Sequence, residues 1–141
     1  MPNPFQLLET RYHRELAVQY ADYWAYRRNP QFDAFDELGG DCTNFVSQAI
    51  YYANGVMNFT PDYGWYYLDI NQRAPAWTGV VFLWQFLTTN LGPGPYGHAV
   101  PLDQVQPGDI VQMALQSEEY GHSVIVTSLL DSPPAPDTIL V

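Results

Sequence analysis

The sequence predicts an α+β fold with its helices first and its strands last. Residues spaced for helical faces occupy the first two thirds of the chain, from about Arg11 to Asn90. Beyond Pro107 the pattern changes to short apolar runs separated by polar or Pro-rich turns, which read as antiparallel strands. The chain has 141 residues, 47% of them hydrophobic and 16% aromatic, enough for one domain with a packed core and too apolar for disorder.

The first helix is predicted over Arg11–Arg28, with Leu16, Tyr20, Tyr23 and Trp24 near helical spacing and Thr10 as N-cap. Asn29-Pro30 ends it, because proline disfavours helix in the residue before it. Phe32 and Phe35 anchor the connection that follows. The second helix is predicted from Cys42 to Tyr52, capped by Asp41 and stopped by Asn54-Gly55. Its faces are Phe45, Ala49 and Tyr52 on one side and Val46 and Ile50 on the next, which suits a helix at the centre of a domain.

Residues 56–77 are aromatic but not periodic, and read as a long loop with a short strand at Trp65–Leu68. A third helix is predicted over Thr78–Asn90, with Thr78 as N-cap, before a Gly/Pro loop. Pro107-Gly108 is a turn that leads into a strand at Asp109–Leu115. A polar hairpin connection over Gln116–Gly121 then leads to a strand at His122–Leu130. Asp131–Pro136 is another turn, and a third strand begins near Asp137. The 1–141 stretch reads as a single domain without internal repeats.

The net charge is -10, with five Lys plus Arg. No basic surface for a phosphate backbone or an anionic bilayer follows from that, so neither nucleic acid nor membrane is an expected partner. The sequence has no apolar run long enough to cross a bilayer, and its start lacks the basic end and apolar core of a signal peptide. Localisation therefore stays open between cytoplasmic as given and secreted after removal of a leader. A lone cysteine forms no intramolecular disulfide and does not decide the redox compartment.

That cysteine, Cys42, sits in Gly39-Gly40-Asp41-Cys42-Thr43-Asn44-Phe45-Val46-Ser47-Gln48, where a loop turns into a helix. A thiolate is stabilised by the partial positive charge of a helix N-terminus, and the thiolate is the nucleophilic form. A nucleophile also needs a base that takes its proton and returns it to the leaving group. Of the three histidines, His13 lies on a polar helix face and His98 in a Gly/Pro loop, both suited to solvent. His122 follows Gly121 at the entrance to an apolar strand, from which its ring can project into a cleft.

The blocks Tyr20-Ala21 to Trp24, Arg28-Asn29-Pro30, Gly40 to Gln48, Trp65-Tyr66-Tyr67, Trp77, Pro107 to Gln112 and His122-Ser123 resemble, in order, the bacterial "Putative amidase domain" family. The resemblance spans about Tyr12 to Thr127. That family is similar to papain-like and NlpC/P60-type cysteine hydrolases, in which a cysteine heads a helix packed on an antiparallel sheet. The resemblance implies Cys42 as nucleophile, His122 as base, and a peptide or peptidoglycan-type amide as substrate. It also implies a third polar residue orienting the imidazole from the next strand. Asp137 sits early for that task, and the expected orienter would lie beyond Val141, as in a domain truncated at its C-terminal end.

The Cys42 backbone N–H is a candidate oxyanion donor, and a side chain of the first helix, Tyr20, Tyr23 or Trp24, is another, although an aromatic stripe at helical spacing reads first as core. Asp41 reads as a cap, and Asn44 and Gln48 read as hydrogen bonders that hold the loop. Trp65, Tyr66 and Tyr67 have two readings, as core packing or as a wall of the substrate cleft. No cofactor is expected. A zinc site built on Cys42 and His122 lacks the clustered ligands that closed sites use. The other reading of the chain is a catalytically incomplete cell-wall or protein-binding module on the same fold.

Overall fold

A computed structural model of the chain describes residues 6–38, 40–114 and 120–141. Helices α1 (Arg14–Trp24) and α2 (Cys42–Asn54) come first, followed by the hairpin β1 (Tyr67–Asp69) and β2 (Gln72–Arg73). Helices α3 (Pro75–Thr78) and α4 (Val80–Thr89) lead through a loop and a 3-10 turn (Leu102–Gln104) to the last four strands. These are β3 (Ile110–Met113), β4 (His122–Ile125), β5 (Ser128–Leu129) and β6 (Ile139–Leu140). The fold is α+β, as predicted, with α2 packed between α1 on one side and α3 and β4 on the others.

The central place of α2 follows from its sequence. Val46, Ala49, Ile50 and Ala53 are buried with Thr43, Asn44, Ser47 and Gln48, so most of the helix circumference faces protein. Phe45 is only half-buried and Tyr52 is exposed, so the Phe45–Ala49–Tyr52 face is not the inner one. The polar members of the buried set are matched to indole donors. Trp65 Nε1 donates to Ser47 Oγ at 3.0 Å, Ser47 Oγ donates to the Trp77 carbonyl at 2.9 Å, and Trp77 Nε1 donates to Asn44 Oδ1 at 2.9 Å. Burying two tryptophans is favourable because each nitrogen finds an acceptor while the rings supply apolar area. The two ring centroids lie 4.8 Å apart, with Phe86 stacked on Trp65 and Phe32 on Trp77. Gly55, at φ 72, ends the helix by donating to the Tyr51 carbonyl.

Several elements differ from the sequence expectation, each for a local reason. Helix α1 starts at Arg14, with His13 rather than Thr10 in the cap position and no side-chain cap bond. Residues 12–14 are held by the Pro107–Asp109 turn instead: Tyr12 OH donates to the Gly108 carbonyl at 2.8 Å, and Arg14 Nη1 donates to Asp109 Oδ1 at 2.5 Å. The helix ends at Trp24 rather than Arg28, because Arg27 N–H closes a turn on the Trp24 carbonyl.

The predicted third helix is two helices. Gly79, at φ -104 and ψ 126, breaks it, and Thr78 is the last residue of α3 rather than a cap. Proline supplies the N-terminal residue of α3 (Pro75), a position that needs no N–H donor. The short strand at Trp65–Leu68 is shifted to Tyr67–Asp69 and belongs to a hairpin with β2 that the sequence reading missed; Trp65 itself makes an isolated bridge with Asn58.

The last strands form separate two-stranded ladders rather than one sheet among the described residues. Strand β4 pairs antiparallel with β3, His122 opposite Met113 and Ile125 opposite Ile110. The run expected to continue to Leu130 stops at Ile125 and resumes as β5, which pairs with β6. Leu115 and most of the predicted Gln116–Gly121 connection lie outside the described residues.

Candidate functional site

Cys42 is the first residue of α2 and is partly exposed. The turn that delivers it uses Gly40 at φ 111, a conformation glycine adopts without Cβ strain. Asp41 stands in the N-cap position, and its carbonyl accepts the Phe45 N–H at 2.9 Å. Its side chain does not cap the helix, contrary to expectation. Oδ1 instead accepts from Phe35 N–H and from Asn44 Nδ2, each at 2.9 Å, and Oδ2 accepts from Arg28 Nη1 at 3.0 Å. The carboxylate thus ties the 28–36 connection to the head of α2.

Asn44 is fully engaged in the same brace. Its Nδ2 also donates to the Asp33 carbonyl at 3.0 Å, while its Oδ1 receives Trp77. With no donor left over, and none of its surface exposed, Asn44 is a structural hydrogen bonder and not an oxyanion donor.

Thr43, beside Cys42, points inward. Its Oγ1 lies 3.8 Å from Cys42 Sγ and 3.0 Å from Ser123 Oγ. Ser123 Oγ also accepts from Gln112 Nε2 at 3.2 Å, and that amide donates to the Val80 carbonyl at 2.8 Å. A fully buried hydroxyl pair therefore joins the residue after Cys42 to the residue after His122. From sequence, Thr43 is weighed only as a nucleophile and set aside for want of an adjacent base, and Ser123 is given no role; the signal for the pair was position, since each stands next to a singled-out residue at the start of an element.

A cleft of about 610 Å³ opens beside Cys42. The walls come from the end of α1 (Trp24 onward), from Asn29, Phe32, Asp33 and Asp41, from Phe45 and Gln48 of α2, and from Ser123 to Ile125 with Thr127. His122 is exposed and is not among the lining residues, while Ser123 and Ile125 are the buried members of β4. The fold therefore brings the segments that carry Cys42 and His122 together, with Ser123 rather than His122 at the contact.

Tyr20 is buried, and its hydroxyl donates to Gln48 Oε1 at 2.5 Å while accepting from Asn29 Nδ2 at 3.0 Å. Burial raises the phenol to about 12, against the Asn29 bond, which lowers it, and with the Asp41 charge adding to the rise. Tyr20 has therefore committed its proton to Gln48.

The aromatic trio does not form a cleft wall here. Trp65 is fully buried in the tryptophan pair, and Tyr67 is buried with its hydroxyl bonded to the Asp33 carboxylate. Tyr66 packs on Phe59, and none of the three lines the cleft; Trp24, Phe32 and Phe45 supply its aromatic surface. Packing decided this for Trp65 and Tyr67, whose rings are buried, while Tyr66 is partly exposed away from the cleft. His13 and His98 are exposed, as expected. No group of three metal-ligating side chains occurs among the described residues, and no helix among them is long and apolar enough to cross a membrane.

The chain matches the family described as "Putative amidase domain" over residues 11–141. It belongs to that family. The family's description points to amide hydrolysis as the activity. The chain is also similar to YhbB of Bacillus subtilis (strain 168), a protein described as uncharacterized, at 24% identity over 120 residues. The match covers 84% of this amidase-domain chain and 38% of YhbB, so the chain spans well under half the length of that relative. No solved structure gives a significant match.

Proposed function

We propose that this amidase-domain chain is a cysteine-dependent amide hydrolase acting through Cys42 and His122, with a papain-like arrangement of a helix-headed cysteine and a strand-borne histidine. The observation that carries the reading is the Thr43–Ser123 hydroxyl contact at 3.0 Å, which joins the head of α2 to the start of β4 beside an open cleft. Family membership supplies the amide as substrate.

The reaction runs in two halves. The Cys42 sulfur adds to the amide carbonyl after His122 takes the thiol proton. The tetrahedral oxyanion is met by the backbone N–H groups at the start of α2, which point along the helix axis with no intrahelical acceptor. The C–N bond breaks as the imidazolium protonates the leaving amine, leaving a thioester. Water, deprotonated by His122, then releases the acid and the free thiol. Cell-wall peptides are the proposed natural amides, a class the family's resemblance to NlpC/P60-type hydrolases brings in.

The test is turnover of peptide amides and peptidoglycan peptides by the wild type, Cys42→Ala and His122→Ala. Loss of His122 is expected to cost about 10²- to 10⁴-fold in kcat, the usual contribution of a general base, and loss of Cys42 to remove turnover. Turnover that survives Cys42→Ala overturns the reading.

A second reading is favoured by one observation: His122 is exposed and absent from the cleft lining. In it the chain is a binding module that holds peptide without cleaving it. Equal peptide binding by wild type and Cys42→Ala, with no hydrolysis by the wild type, selects this reading.

A further inference from the structure

The cleft beside Cys42 contains one polar group whose direction is fixed by a chain of hydrogen bonds ending in nothing. Gln31 N–H donates to Asn29 Oδ1 at 3.0 Å, which sets the Asn29 amide with its nitrogen toward Tyr20. Asn29 Nδ2 donates to the Tyr20 oxygen, so the Tyr20 proton must go to Gln48 Oε1. With its oxygen committed, Gln48 has its Nε2 left over. Gln48 is 6% exposed and lines the cleft, and Nε2 donates to no acceptor among the described residues. No buried side-chain nitrogen or oxygen among the described residues lacks a partner, so this unpaired Nε2 opens onto the cleft, where a bound acceptor can meet it.

We propose that the cleft binds an extended peptide, a chain with several consecutive amides, and that Gln48 Nε2 donates to one of its backbone carbonyls. Gln48 lies six residues after Cys42 on α2, a rise of about 9 Å. It therefore meets a carbonyl other than the one at the sulfur, which a substrate with a single amide does not possess. Tyr20 and Asn29 are positioning residues that hold the Gln48 amide with its nitrogen outward. The inference rests on the proposed function only for the place of the cleft beside the nucleophile.

The experiment is a two-dimensional NMR titration of the Cys42→Ala protein with N-acetyl-trialanine amide, and separately with N-methylacetamide as a single-amide probe. The peptide is expected to shift the Gln48 side-chain N–H₂ signals, and to bind at least tenfold more tightly than N-methylacetamide. Gln48→Glu keeps the acceptor for Tyr20 but removes the donor, and is expected to weaken the peptide about tenfold. Tyr20→Phe frees the amide to turn and weakens it by less. Unmoved Gln48 side-chain signals, or peptide affinity within twofold in Gln48→Glu, overturn the proposal; the first readout needs no variant at Gln48. Peptide that binds in this way to a protein that never hydrolyses it defeats the hydrolase reading and leaves this one standing.

Discussion

Thr43 Oγ1 and Ser123 Oγ lie 3.0 Å apart with no exposed surface on Thr43 and almost none on Ser123, and they connect the first turn of α2 to the second residue of β4. Two buried hydroxyls satisfy each other there, and Gln112 supplies the remaining donor to Ser123. Removing one partner strands the other. Ser123→Ala is expected to cost about 1–3 kcal/mol, the range for a buried group left unsatisfied. The double variant Thr43→Val with Ser123→Ala is expected to cost less than the sum of the singles, because neither hydroxyl then remains to be stranded. Urea unfolding midpoints of the four proteins check this; additive losses contradict the pairing.

Asp41 was expected to cap α2, but its carboxylate is the junction between Phe35, Asn44 and Arg28. Asp41→Ala removes acceptors from a backbone N–H and from a fully buried amide, and is expected to cost about 2–3 kcal/mol. Arg28→Ala breaks only pairs that are half exposed to water, with Asp36 and Asp41, and is expected to cost under about 1 kcal/mol. Chemical denaturation of both variants ranks the two contributions, and an Arg28 effect equal to that of Asp41 contradicts the assignment.

Gly108 holds the turn that receives α1. At φ 89, a Cβ on it would come within 2.9 Å of Arg14 Cβ and 3.0 Å of Arg14 Cα. Gly108→Ala combines left-handed strain with a clash against backbone that is fixed by the Tyr12 bond to the Gly108 carbonyl. A loss of about 2–4 kcal/mol is expected, measured by thermal or urea unfolding, whereas Gly121→Ala meets nothing within 4 Å and is expected to stay within about 0.5 kcal/mol.

Tyr20 is raised by burial from 10.0 to about 12. Below pH 10 its phenol is protonated in both folded and unfolded chains, so its contribution to stability is complete there. Between 10 and about 12 the unfolded chain loses the proton and the folded one keeps it, so that contribution falls as pH rises through the window and is gone above it. Burial raises Tyr12 and Tyr67 as well, so spectrophotometric titration should show several late-ionising tyrosines, one fewer in Tyr20→Phe. Ionisation of every tyrosine near pH 10 in the folded protein contradicts the buried Tyr20–Gln48 pair.

The elements that the sequence reveals are those whose local signals agree with their packing. Cys42 to Asn54 carries a helical pattern and a stop at Gly55, and it is the helix found. Pro107-Gly108 announces its turn, and the apolar run after Gly121 announces β4, although its buried members are Ser123 and Ile125 rather than Val124. What the sequence hides is decided at long range. Nothing local tells that the helix waits until Arg14 to start, with Tyr12 and Arg14 bonded to a turn some 95 residues on, or that Asp41 prefers Phe35 and Arg28 to its own helix. Trp65 and Tyr67 are equally invisible as core or cleft until Trp77 and Phe86 are placed around them. The partner of Thr43 lies 80 positions away, beside the residue that had been singled out.

The most direct test of the central claim is the alkylation rate of Cys42 at pH 6, in the wild type and in His122→Ala, against a free cysteine peptide. If Cys42 is a nucleophile served by His122, iodoacetamide labels the wild type well ahead of the free thiol, and His122→Ala removes most of the advantage. Labelling of the wild type no faster than the free thiol contradicts the claim.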